Sequence, residues 1–206
     1  MDMWRRKLSS PDVLTRLSCA LPLFLSVFLL AATAGYALLP EGSFRKNNPL
    51  QDMMATDNPA LLGLQIFTYN LTSVIVIVAA SLFAKKKQSH THYYSVGYLV
   101  VLILMCLDGV VLGTWSFSSA TTLAPHFTER ITGVFAIFHR AALWEILGQI
   151  FIACAVAHIA IVQTNDKETR VRNVSKIRLS KSECGVLVCG LVLMFSGAFI
   201  EGYAIL

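Results

Sequence analysis

Five stretches of the sequence stay apolar for about 20 residues or longer, near 17–39, 61–84, 93–115, 133–162 and 185–206. A helix of that length crosses the ~30 Å hydrocarbon core of a bilayer. Lipid offers nothing to an open backbone donor or acceptor, so each stretch is expected to be helical. With 55% hydrophobic and only 14% charged residues in a chain of 206, and a mean hydropathy of +0.63, a water-soluble globular domain is excluded. The expected fold class is therefore all-α, a polytopic integral membrane bundle of five transmembrane helices forming one domain over residues 1–206. The fourth stretch is longer than a perpendicular crossing needs, which a tilt or an interfacial first turn accommodates.

Orientation follows from the basic residues. Arg5, Arg6, Lys7 and Arg16 precede the first stretch, Lys85, Lys86 and Lys87 follow the second, and Lys167, Arg170, Arg172, Lys176, Arg178 and Lys181 separate the fourth from the fifth. These segments hold most of the 17 lysines and arginines, whereas the alternate segments hold only Arg45, Lys46 and Arg130. The excess of basic residues on the cytoplasmic side of membrane proteins puts the N-terminus inside and the C-terminus outside. The formal net charge of +5 is thereby explained by topology and by anionic lipid headgroups, and no nucleic-acid partner is expected. Cys19, Cys106, Cys154, Cys184 and Cys189 lie in or beside the apolar stretches, with no disulfide or zinc spacing. They read as small packing residues.

Arg5-Arg6-Lys7, the first apolar run and Ala32-Thr33-Ala34 follow the order of a secretory signal with its cleavage site. The run is long for such a signal, so the first span is read as retained; cleavage leaves four spans in the same orientation. Ser10-Pro11-Asp12 offers an N-cap and a first-turn proline for a helix entering the first span, and Pro22 is placed to kink it. Segments 40–59 and 116–132 read as external loops, while 163–181 mixes both charge signs and suits a surface helix. Small residues recur four apart at Ala31 and Gly35, Gly109 and Gly113, Ala153 and Ala157, and Ala198 and Gly202, a spacing that lets helices approach closely.

Polar residues inside the spans carry the functional information. A charged side chain near mid-bilayer costs about 2.5–3.5 kcal/mol on insertion scales, yet Asp108, Glu145 and Glu201 each interrupt a different span. At ~1.5 Å per residue these three, with Asn70 and Gln149, fall at overlapping depths in the outer half of the bilayer. Glu145 and Gln149, four apart, share a helix face. Arg140 and His158 share another, which leaves Arg140 to pair with Asp108 or Glu201 of a neighbouring helix. Three roles fit such a buried polar cluster: a structural knit between helices, a path for an ion or proton, or a docking surface for a second membrane subunit.

Catalysis has less to stand on. No G-x-S-x-G elbow is present, and one intramembrane aspartate does not make an aspartyl dyad. His90 and His92 sit in a polar loop and read as solvated, so no metal is expected. Asn70-Leu71-Thr72 and Asn173-Val174-Ser175 match the glycosylation triplet, one inside a span and the other on the cytoplasmic side. No phosphate-binding glycine loop occurs; no cofactor is expected, and any ATP use belongs to a partner.

The motifs in spans two to five resemble the stage II sporulation protein M family (DUF95). An asparagine stands early in span two, in Phe67-Thr68-Tyr69-Asn70-Leu71, and Asp108-Gly109-Val110-Val111-Leu112-Gly113 is similar to the family's N/D-G-x-x-x-G. His139 and Glu145 open span four ahead of Gly148, Ala153 and Ala157, and Ala198-Phe199-Ile200-Glu201 resembles the family's A-x-I-E close. Arg140 stands where the family has glycine, and Glu145 follows His139 by six residues, so of that motif Glu145 alone is carried over. The resemblance covers about residues 60–206. It implies a multi-pass protein of the bacterial cytoplasmic membrane with no enzymatic activity, a scaffold or anchor in an envelope assembly. Its alternative is a permease-like component of an ABC-type peptide or bacteriocin export or immunity system. The implied partners are the lipid bilayer, other membrane or envelope proteins and, for the alternative, a cytoplasmic ATPase subunit.

Overall fold

The computed structural model of the chain describes residues 2–44, 56–86, 93–116, 126, 128–129, 142–165 and 168–205. The major helices are α1 (Asp2–Leu8), α2 (Val13–Leu38), α3 (Pro59–Ser81), α4 (Gly97–Gly113), α5 (Ala142–Ala155) and α6 (Lys181–Ile205). Three of them are long and apolar enough to cross a membrane, over Val13–Leu38, Pro59–Ser81 and Lys181–Tyr203; Gly97–Gly113 and Leu143–Ala155 are shorter apolar helices. The 17 residues of α4 rise ~25 Å.

Helix starts follow local chemistry. Asp12, not Ser10, caps α2, its carboxylate accepting from Leu14 N and Thr15 N at 3.3 and 2.9 Å. The Thr15 hydroxyl adds a bond of 2.6 Å and is the main influence holding the Asp12 carboxyl below its usual pKa. Asn58 caps α3 through Ala60 N and Leu61 N, with Pro59 in the first turn, where a missing N–H costs nothing. Pro22 lies within α2, which runs on unbroken to Leu38. At the end of α4, Ser116 N bonds Val111 O and Trp115 N bonds Leu112 O. This reciprocal closure needs a left-handed residue, and Trp115 supplies it at φ 50°.

The expectation of an all-α chain fails at one end of the bundle. There β1 (Phe83–Lys86), β2 (Tyr94–Ser95), β3 (Val162–Asn165) and β4 (Thr169–Val171) form a four-stranded sheet in the order β2-β1-β3-β4. β1 runs antiparallel to β2, with Ala84 opposite Ser95, and parallel to β3, with Phe83 opposite Val162. β4 returns antiparallel to β3. The second span therefore stops at Ser81 rather than 84, the third starts at Gly97 rather than 93, and the fourth ends at Ala155 rather than 162. The surface helix expected over 163–181 is replaced by strands and a 3-10 turn at Val174–Lys176. Lys85 and Lys86, which follow the second apolar stretch, are strand residues. A sheet with open edges is unsuited to hydrocarbon, and these apolar stretches leave the helix where it begins.

The same contacts fix how the helices run. The sheet joins the C-terminal end of α3, the N-terminal end of α4 and the segment after α5. Leu8 O accepts from the Tyr98 hydroxyl at 3.1 Å, which brings α1 to that end as well. At the opposite end Gly42 N bonds Thr114 O at 2.8 Å, and α3 begins beside the last turns of α6. Helices α2 to α6 thus alternate in direction.

The main core lies among α2, α4 and α5, where Phe24, Tyr98, Val101, Met105, Ile146 and Ile150 are at most 2% exposed. Leu62, Ile66 and Ala198 fill the α3–α6 contact; Val74, Ile152 and Met194 join α3, α5 and α6. Backbones touch where side chains are missing. A Cβ on Gly113 would collide with the Ala32 carbonyl oxygen, and one on Gly109 would fall 2.5 Å from Phe28 O. Gly202 would meet Gly63 N at 2.7 Å, and Gly190 would meet Gly148 O at 2.9 Å. Without hydrophobic drive between helices in lipid, such van der Waals contact holds them together. Leu30, Ile75 and Val188, 69%, 66% and 59% exposed, point outward as lipid-facing residues do. All five cysteines are free; Cys19 and Cys154 are buried, but Cys184 and Cys189 are exposed and so do not pack.

Candidate functional site

The polar residues of the spans come from four helices. Asn70 sits on α3, Asp108 on α4, Glu145 and Gln149 on α5 and Glu201 on α6. Glu145 is the centre of the group. Gln149 Nε2 donates to Glu145 Oε1 at 3.1 Å, Asn70 also hydrogen-bonds Glu145, and the Asp108 and Glu201 carboxylates stand within electrostatic reach of it. Asn70 and Gln149 are 5% and 2% exposed, Glu145 and Glu201 are half-buried, and Asp108 is exposed. The Oε1 of Gln149 is buried with no hydrogen-bond partner. Arg140, His139, His90 and His92 lie outside the described residues, so the pairing expected for Arg140 does too. Its shared face with His158 has no helix to carry it at the far end, since His158 stands in the turn after α5.

The arrangement of Glu145 sets up one test. Replacing Gln149 by leucine removes a buried hydrogen bond, a loss worth about 0.6–1.7 kcal/mol in membrane helices. Glu145→Gln keeps an oxygen for Gln149 and should change stability by less than about 1 kcal/mol. Unfolding in detergent by circular dichroism distinguishes the two. Equal and large losses would show that the charge of Glu145, rather than its hydrogen bonding, holds the helices.

A second polar centre, which the sequence reading missed, lies at the sheet end. Arg16 is fully buried and its Nη2 contacts Glu183 Oε1 at 2.5 Å. Arg16 Nη1 donates to Ser10 O at 2.8 Å and approaches His158 Nδ1 at 2.9 Å. Burial, with the Arg16 guanidinium alongside, holds His158 below its usual pKa against the pull of Glu183. A neutral ring then offers Arg16 a lone pair. Glu183 Oε2 also accepts from Ser180 N at 2.8 Å while Ser180 Oγ accepts from Glu183 N at 3.2 Å. That reciprocal box closes the first turn of α6. Arg172 donates to His158 O and Ala160 O at 3.2 and 3.3 Å, linking β4 to the same centre. One charged pair thus fastens α2, α6 and the turn after α5.

Comparison with protein-family models, with curated proteins and with solved structures finds no match to this chain.

Proposed function

We propose that the chain is a five-pass protein of the bacterial cytoplasmic membrane, N-terminus inside and C-terminus outside, acting as a non-enzymatic scaffold or anchoring subunit of a larger envelope assembly. The observation that carries this reading is the four-stranded sheet built where the basic segments meet. Among the described residues β2 and β4 are the edges of the sheet, and Arg170, Val171 and Lys85 are exposed on it. Such a surface adds nothing to spanning a membrane and suits contact with another protein or with anionic headgroups. The order of Asn70, Asp108-Gly109, Glu145 and Glu201 along the spans supports it through the family that the sequence resembles. The basic sheet also favours a second reading, a permease-like component of an ABC-type peptide or bacteriocin exporter, for which the sheet is the seat of a cytoplasmic ATPase.

Affinity purification of the tagged protein in mild detergent from its native host tests both. The scaffold reading expects membrane or envelope proteins to be recovered in fixed proportion. A nucleotide-binding ATPase released by Arg170→Glu moves the assignment to the exporter. Recovery of the chain alone contradicts both.

A further inference from the structure

Arg5, Arg6 and Lys7 stand in one turn of α1, and all three are exposed. Orienting a chain in the membrane needs only their charge; it does not need them folded into a helix and fastened to the bundle. Here they are fastened. Leu8 is 2% exposed within the main core, and its carbonyl accepts from the buried Tyr98 hydroxyl. Ser9 N closes the last turn of α1 on Arg5 O at 3.0 Å. Cys19 Sγ lies 3.9 Å from Trp4 O, so α1 doubles back along α2. From Val13, where α2 begins, the helix rises ~9 Å to reach Cys19.

That depth decides which partner suits α1. Leu14, in the first turn of α2, is 65% exposed and opens an apolar span. The level that Trp4 reaches is thus the boundary between headgroups and acyl chains. At about 3.6 residues per turn, Met3 falls between Arg6 and Lys7 on the side of α1 away from Leu8, with Trp4 on the other side of Lys7. Met3 and Trp4 are 58% and 39% exposed. Apolar side chains set among cations, with a tryptophan at headgroup level, match a helix lying in the interface. Charge points to the same occupant. Asp2 is the only acid in the first eleven residues, and the Asp12 carboxylate is taken up in capping α2. We propose that α1 is a docking strip for anionic phospholipid, Arg5, Arg6 and Lys7 meeting the phosphate oxygens while Met3 and Trp4 enter the acyl boundary. The planar fork of each arginine fits two phosphate oxygens at once.

The test reads Trp4 fluorescence in phosphatidylcholine nanodiscs, taken as the difference between the unaltered protein and Trp4→Phe. The discs carry an equal mole fraction of brominated phosphatidylglycerol or brominated phosphatidylcholine as quencher. The anionic quencher should act on Trp4 as if enriched at least about threefold over the zwitterionic one. In 1 M KCl, where charges are screened beyond about 3 Å, that ratio should fall toward one. It should fall likewise in Arg5→Gln, Arg6→Gln, Lys7→Gln, three changes at exposed positions. Equal quenching by the two lipids at low salt overturns the proposal, as does selectivity kept by the triple variant. Quenching of Trp4 by aqueous acrylamide and by neither lipid also overturns it, in favour of an acidic soluble partner for the basic turn. The readout involves no other protein. A purification that recovers the chain alone therefore leaves this inference standing, and loss of headgroup selectivity leaves the scaffold reading untouched.

Discussion

Replacing Glu183 by alanine is expected to lower the unfolding free energy by about 3–5 kcal/mol, the usual cost of stranding one member of a buried ion pair. Arg16 is completely buried and the Glu183 side chain is 7% exposed, so neither charge has water to fall back on. The same change removes the acceptor for Ser180 N and opens the first turn of α6. Replacing both residues by methionine is expected to recover most of the loss, since two apolar groups of similar volume leave no charge to desolvate. Equilibrium unfolding in mixed micelles measures all three proteins. A Glu183→Ala change costing under about 1 kcal/mol would mean that the pair is open to solvent, and the fastening of α2 to α6 would have to be ascribed to packing alone.

Gly113→Leu is expected to be nearly as damaging, at about 3 kcal/mol or more, the upper part of the range for overpacked sites. The obstacle is backbone: the Ala32 carbonyl and Tyr36 N of α2 occupy the space a side chain needs, and no rotamer avoids them. Helices α2 and α4 must separate, and the core around Phe24, Tyr98 and Met105 opens with them. Gly185→Leu is the control, because nothing lies within 4 Å of the position of its Cβ; its cost should stay within about 0.5 kcal/mol. Similar losses at both sites would mean that the general penalty of a larger residue, rather than the close α2–α4 crossing, is being measured.

The helices were legible because apolar length is a long-range average that no single residue controls. Asn70, Asp108, Glu145, Gln149 and Glu201 were legible because a polar group stands out against such a background. The sheet was not. Phe83-Ala84-Lys85-Lys86 is too short to show a period, and its lysines carry the topological signal that marks a loop. Its pairing with Val162–Asn165 joins segments almost 80 residues apart in sequence, which local pattern does not reveal. The excess length of the fourth apolar stretch was the visible trace of it, for residues 156–162, apolar apart from His158, leave the helix. Arg16 was counted as one more cytoplasmic charge, although its ion pair buries it. Its partner did leave a mark, the spacing Ser180-x-x-Glu183 of a capping box. The contacts of Gly63 with Gly202 and of Gly148 with Gly190 escaped because neither Gly63 nor Gly148 has a small residue four positions away on its own helix.

Membrane-impermeant thiol labelling of single cysteines tests the transmembrane arrangement most directly. In a background free of native cysteines, Phe44→Cys, Val171→Cys and Tyr203→Cys place a thiol at sites 51%, 70% and 63% exposed, one beside the end of α2, one on the sheet and one near the end of α6. The account predicts that Phe44→Cys and Tyr203→Cys are labelled in intact cells, and that Val171→Cys is labelled only after the membrane is permeabilised. Labelling of Val171→Cys in intact cells, or protection of either of the others, would contradict it.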